Sequence, residues 1–153
     1  MNIDAYTIVE VSEPTVAVYQ AIQNLLPQLS QSPKKISHRD LMDIIAAENS
    51  FLFVALDGKK DDQIIGMLCL HLNKQPTGVK SRIEDVVVDR DYRGKGIGRA
   101  LMQKAIDYAH KKGADMIELT SHPHRETANS MYKNIGFEQI TTNVYRMVLY
   151  SSD

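Results

Sequence analysis

Hydrophobic and polar positions along this chain repeat with two periods, and the switches between them mark out the elements. Residues 6–11 alternate and predict a first strand. Pro14 then opens a helical stretch in which Val18, Ile22, Leu25, Leu26 and Leu29 recur at helix spacing, with Pro27 expected to shorten or kink it. Residues 30–35 form a polar connector, and Ser37 with Asp40 three positions later reads as the capping box of a short helix. Two apolar runs, residues 51–56 and 64–72, predict strands joined around Asp57-Gly58. Residues 73–81, with Pro76 and Gly78, are expected to be a loop before a strand at 83–88. A long helix follows from Gly96 to Lys112, its apolar face made by Ile97, Leu101, Ala105 and Ala109, with Gly113 ending it. A buried strand at 116–120, a helix at 126–134 stopped by Gly136, and a closing strand at 144–150 complete the pattern. Strands that alternate with helices in this order predict a mixed α/β sheet with helices on both faces, built as a single domain over residues 1–153.

Composition narrows the function classes. The chain has 18 basic and 19 acidic residues, a formal charge of -1, which gives no global attraction to nucleic acid or to an anionic membrane. No apolar run approaches the roughly 20 residues of a membrane span, and the N-terminus lacks the apolar core of a signal peptide. A cytoplasmic protein is therefore expected. The single cysteine, Cys69, excludes an internal disulfide and lies in an apolar run, where it reads as core packing rather than as a nucleophile.

The chemistry concentrates after the strand at 83–88, in Arg93-Gly94-Lys95-Gly96-Ile97-Gly98. A glycine-rich turn at a helix N-terminus presents backbone N–H groups at the positive end of the helix dipole, a site for phosphate or pyrophosphate. Spacing separates the loops that use this device. The dinucleotide GxGxxG fails, because its third position falls on Arg99 or Leu101. The triphosphate loop GxxxxGK[ST] fails too, since Arg99 stands where its second glycine belongs. What remains is R-x-x-G-x-G, matched by Arg93, Gly96 and Gly98.

With that loop, the chain resembles the GCN5-related N-acetyltransferase (GNAT) superfamily over residues 83–150. The strand Ile83-Glu84-Asp85-Val86-Val87-Val88 looks like the family's fourth strand, and Asn129-Ser130-Met131-Tyr132-Lys133-Asn134-Ile135-Gly136-Phe137 is similar to its N-x-x-Y-x-x-x-G-F element. The resemblance implies a mostly antiparallel central sheet with one splayed pair of parallel strands. It implies acetyl-CoA as co-substrate, its pyrophosphate on the backbone of Gly94, Lys95, Gly96, Ile97, Gly98 and Arg99, with Arg93 ordering the loop. The pantetheine arm would pair with the backbone edge of Val86, Val87 and Val88, where an N–H near Val88 polarises the thioester carbonyl.

The family tyrosine that protonates the leaving thiolate corresponds to Tyr132, and Asn129, one turn earlier, would contact the cofactor. Glu84 is the expected base, acting through water, with Asp85 second. In a regular strand Glu84 shares a face with Val86 and Val88 and Asp85 points away, an alternation that only a bulge would break. The resemblance therefore implies transfer of acetyl to a primary amine of a small molecule in a ternary complex. Protein N-terminal or lysine acetylation is the alternative, followed by a non-catalytic acyl-CoA sensor. No metal is expected, because His122 and His124 offer only two ligands. These residues, with Arg125, could meet an acidic group of the acceptor, and Thr141, Thr142, Asn143, Tyr145 and Arg146 are candidates for its pocket. The family leaves a homodimer open.

Overall fold

A computed structural model describes residues 5–31 and 35–150. These fall into two compact units that divide after Thr120. The first holds a five-stranded sheet in the order β1-β2-β3-β4-β5, with β1 Tyr6–Glu10, β2 Ser50–Asp57, β3 Gln63–Gln75, β4 Gly78–Val88 and β5 Met116–Glu118. The first four strands are antiparallel neighbours, and β4 with β5 is the one parallel pair. The mixed sheet expected from the periodicities is thus present.

Its two faces are covered by different helices. Helix α1 (Val16–Leu29) is capped by Thr15, whose hydroxyl accepts from the Val18 N–H. Helix α2 (His38–Ala46) is closed by the capping box of Ser37 and Asp40. Pro27 does not stop α1, which runs on to Leu29. Val18, Ile22 and Leu25 of α1 and Leu41 of α2 pack on Leu52, Val54, Met67 and Val87.

The alternate strand positions serve helix α3 (Ile97–Lys111), which buries Ile97, Leu101, Met102, Ala105 and Ala109. Phe53 meets the Tyr108 ring edge-on at 5.3 Å. Gly66 permits α3 to lie close, because a Cβ there would come 3.3 Å from the Leu101 side chain and 3.1 Å from the Val87 carbonyl oxygen. Gly113, at φ +79, ends α3 in the left-handed conformation.

Three sequence expectations are corrected in this sheet and beyond it. Residues 73–81 are mostly strand rather than loop, since β3 extends to Gln75 and β4 starts at Gly78. Pro76 and Thr77 alone make the turn, and Gly78 takes a φ of +121 that favours glycine. The strand at 116 is shorter than expected and not buried, with Met116 44% exposed. In the second unit, α4 (Glu126–Ile135) forms as expected and ends at Gly136. The closing strand at 144–150 does not form among the described residues: its apolar side chains, Val144, Met147, Val148 and Leu149, are exposed and it has no ladder partner.

The correction that matters most lies within β4. Cys69 pairs with Glu84 and Met67 with Val87, so two steps along β3 oppose three along β4. Asp85 is the extra residue and sits at φ +54, a conformation in which aspartate is tolerated far better than a branched side chain. The insertion reverses the alternation of faces. Ile83, opposite Leu70, lies on the α3 face, whereas Val87, opposite Met67, joins the α1–α2 core. Val88, opposite Gly66, therefore does not share the face of Glu84, as a regular strand would have it.

Candidate active site

The strand that carries the bulge also loses a neighbour. Pairing between β4 and β5 covers Lys80, Ser81 and Arg82 against Met116, Ile117 and Glu118, and stops there. Ser81 locks the last paired stretch, its buried hydroxyl donating to the Met116 carbonyl at 2.7 Å. From Ile83 to Val88, β4 has β3 on one side and no strand partner on the other among the described residues. An unpaired strand edge inside a covered sheet presents a row of backbone N–H and C=O groups that an extended, amide-bearing ligand can pair with.

That edge runs directly into the glycine loop. Asp89 accepts from the Asp91 N–H and starts a 3-10 turn, Arg90–Tyr92. Gly94 and Gly96 follow at φ +74 and +83, and Gly96 is the N-cap of α3 without any side-chain capping bond. The first N–H groups of α3 thus have no side-chain acceptor, the state in which a helix N-terminus takes an anion. No atom lies within 4 Å of where a Cβ at Gly94 would be, so this glycine is required by conformation and not by crowding.

The expected loop residues divide by what their side chains do. Arg93 donates from Nε to the Val88 carbonyl at 3.0 Å, so it fastens the loop to the end of β4. Lys95 folds back, with Nζ 3.4 Å from the Asp91 carbonyl oxygen and 5.0 Å from the centre of the Tyr92 ring. Ile97 is buried and anchors the first turn of α3, which contains Gly98, while Arg99 is exposed. Sequence reading missed Gln28. From α1 it donates to Asp89 at 3.4 Å and accepts from the Arg90 N–H at 2.8 Å, bracing the loop from the opposite face of the sheet. No local signal marks it, since it is one polar residue among several on α1.

The acids come next. Glu84 lies opposite Cys69 of β3, and the charges of Glu84 and Asp85 both bear on the Cys69 thiol. Glu84 is engaged in a short ion pair with Arg82 Nε, and Arg82 also donates to Thr120 at 3.2 Å. Among the described residues no ion pair holds Asp85. Lost solvation pushes its carboxyl above the ordinary range, the Glu84 charge pushes the same way, and His71 opposes them. The Cys69 thiol is pushed up to about 12, by burial first and then by Asp85 and Glu84, which removes it as a nucleophile.

In the second unit, Asn129 and Tyr132 lie one turn apart on α4. The Asn129 side chain donates to the His122 carbonyl at 2.9 Å. Burial pushes the Tyr132 hydroxyl above its ordinary value, with the Arg125 charge opposing, so the phenol holds its proton at neutral pH. His122 and His124 stack at 5.3 Å, and no group of three or more His, Cys, Asp or Glu among the described residues could hold a metal.

Two clefts flank the sheet. One of about 490 Å³ lies beside Asn49, Leu72 and Lys112 and contains none of the loop or β4 bulge residues. The other, about 360 Å³, is lined by Tyr6, Tyr92, Lys95 and Ile97 and adjoins the loop. Of the two, only the smaller borders the glycine loop, through Tyr92, Lys95 and Ile97. No described helix is long and apolar enough to cross a membrane.

Comparison with known proteins bears on the fold and the family. A 33% identical match over 104 residues relates the chain to N-alpha-acetyltransferase 30 of Schizosaccharomyces pombe, covering 67% of each protein. An uncharacterized N-acetyltransferase of Methanocaldococcus jannaschii is 44% identical over 59 residues, 39% of this chain and 26% of that one, so this chain spans only about a quarter of that relative. The crystal structure of a transcriptional regulator from Bacillus halodurans superposes with a TM-score of 0.80 at 25% identity, over 94% of this chain and 99% of the other. The family model described as the acetyltransferase (GNAT) family matches residues 16–137, and the chain belongs to that family.

Proposed function

We propose that the protein transfers an acetyl group from acetyl-CoA to a primary amine by direct attack in a ternary complex. The observation that carries this reading is the early end of the β4–β5 pairing, which leaves residues 83–88 open beside an uncapped helix N-terminus. A pyrophosphate on the N–H groups of Gly94 to Arg99 would place the pantetheine arm along Val86, Val87 and Val88. Arg93 occupies the Val88 carbonyl, so the arm would use the remaining backbone groups of this edge.

The bulge bears on the base. Glu84 is held by Arg82, whereas the exposed Asp85 has no such ion pair among the described residues and its carboxyl lies above its ordinary value. We assign the base role to Asp85, through water, with Glu84 and Arg82 shaping the local charge. Tyr132 is the acid for the departing thiolate, and its retained proton suits the part.

For the acceptor, the compact chain suits a small amine. The likeness to a protein N-alpha-acetyltransferase supports a second reading, a polypeptide α-amine. Free-thiol release measured against a panel of small amines and N-terminal peptides tests both readings. Turnover with small amines alone supports the first, and turnover with peptides alone the second. Acetyl-CoA binding without turnover on any amine would overturn both in favour of a sensor.

A further inference from the structure

The glycine loop has a second neighbour besides the open edge of β4. The cleft of about 360 Å³ shares Lys95 and Ile97 with the loop and reaches Tyr6 of β1, Ile65 of β3 and Lys59 in the turn between β2 and β3. Two ammonium groups stand at the Tyr92 ring that walls it: Lys95 Nζ is 5.0 Å and Lys60 Nζ 5.2 Å from the ring centre. An aromatic ring holds a cation without cancelling its charge. Among the described residues the ion pair is that of Arg82 with Glu84, and Lys59, Lys60 and Lys95 are in none. The acids that bear on Lys60 are Asp57 and Asp91, and the Asp57 carboxylate already accepts from the Lys59 backbone N–H at 3.0 Å.

We propose that this cleft takes the adenosine end of acetyl-CoA and that Lys59 and Lys95 read its 3′-phosphate. The inference rests on the proposed placement of the pyrophosphate on Gly94 to Arg99. The open edge lies on the side of β4 away from β3, whereas the cleft reaches β3 and β1. A cofactor that comes along the edge and crosses the loop therefore brings its nucleotide end to the cleft. The lining matches what that end offers. The Tyr6 and Tyr92 rings, with Ile65 and Ile97, give flat and aliphatic surface to a purine and ribose. The exposed ammonium groups of Lys59 and Lys95 give charge-assisted hydrogen bonds to a phosphate monoester. The larger cleft also has two lysines, Lys74 and Lys112, but no residue of the loop.

The test crosses the phosphate with the lysines. Dissociation constants for acetyl-CoA and 3′-dephospho-acetyl-CoA are measured by titration calorimetry on the wild-type protein, Lys59→Gln, Lys95→Gln and, as a control at the other cleft, Lys112→Gln. Wild type should bind the dephospho compound about 3- to 10-fold more weakly, the scale of solvent-exposed contacts to a multiply charged group. Lys59→Gln and Lys95→Gln should weaken acetyl-CoA and leave the dephospho compound near its wild-type affinity, so that the ratio falls toward one. Lys112→Gln should keep the wild-type ratio. A wild-type ratio of one, or lysine variants that keep the wild-type ratio, would overturn the inference while acetyl-CoA stays on the loop. Absence of binding by both compounds to the wild-type protein would instead sink the placement of acetyl-CoA itself, and this inference with it.

Discussion

The two halves of β4, the polar Gly78-Val79-Lys80-Ser81-Arg82 and the more apolar Ile83 to Val88, meet opposite fates. Residues 78–82 pair with β3 on one side and reach β5 on the other, and their buried Ser81 is satisfied by Met116. Residues 83–88 keep β3, lose β5, and take in an extra residue at a positive φ. The first half is sheet in the ordinary sense, where ladder bonds and side-chain packing agree. In the second half the backbone has no second strand partner among the described residues, and the bulge breaks the alternation of a regular strand. The proposed site therefore lies where the sheet is locally irregular, and the irregular strand is held by its neighbours: Gln28 from α1, Arg93 from the loop, and the regular packing of Val87 into the core.

Removing the irregularity should have the largest effect. Deleting Asp85 would restore regular alternation and force Val87 or Ile83 to the wrong face, and we expect loss of cooperative thermal unfolding by calorimetry. Next is Gly96→Val, which places a β-branched residue at φ +83 at a strain of about 1–2 kcal/mol or more and obstructs the anion. Titration calorimetry should show no acetyl-CoA binding.

Asp85→Asn sharpens the comparison in another way. It should lower kcat by about 10²–10⁴-fold. It should also stabilise the protein at neutral pH. The folded-state carboxyl lies above its ordinary value, so ionised Asp85 costs stability above that raised value, and the cost disappears as pH falls below the ordinary carboxylate range. A higher Tm for the variant at pH 7, converging with wild type in acid, is the expected result. Tyr132→Phe should reduce kcat within the same range while acetyl-CoA affinity is spared. The smallest effect belongs to Arg82→Ala, since both partners of its ion pair are more than a third exposed; stability should change by about 0–1 kcal/mol.

Much of this was legible in the sequence. The capping box at Ser37, the face of α3 and the glycine loop follow from local rules that depend on near neighbours in the chain. The bulge was not legible, because an extra residue in a ladder is defined by the partner strand, and Ile83 to Val88 reads as an ordinary apolar run by itself. The same reason hid Gln28, whose role exists only once α1 lies across the start of the loop. For residues 144–150 the apolar run is real, yet such a run states only that a strand would be buried if paired, and it has no ladder partner among the described residues.

We place acetyl-CoA on the open half of β4 and the glycine loop. Backbone amide shifts followed by NMR during acetyl-CoA titration test it most directly. The expected result is saturable perturbation of Val86, Val87 and Val88 together with Gly94 to Arg99, and little change at residues 78–82. Perturbation centred instead on the larger cleft beside Lys112, or none at millimolar acetyl-CoA, would contradict it.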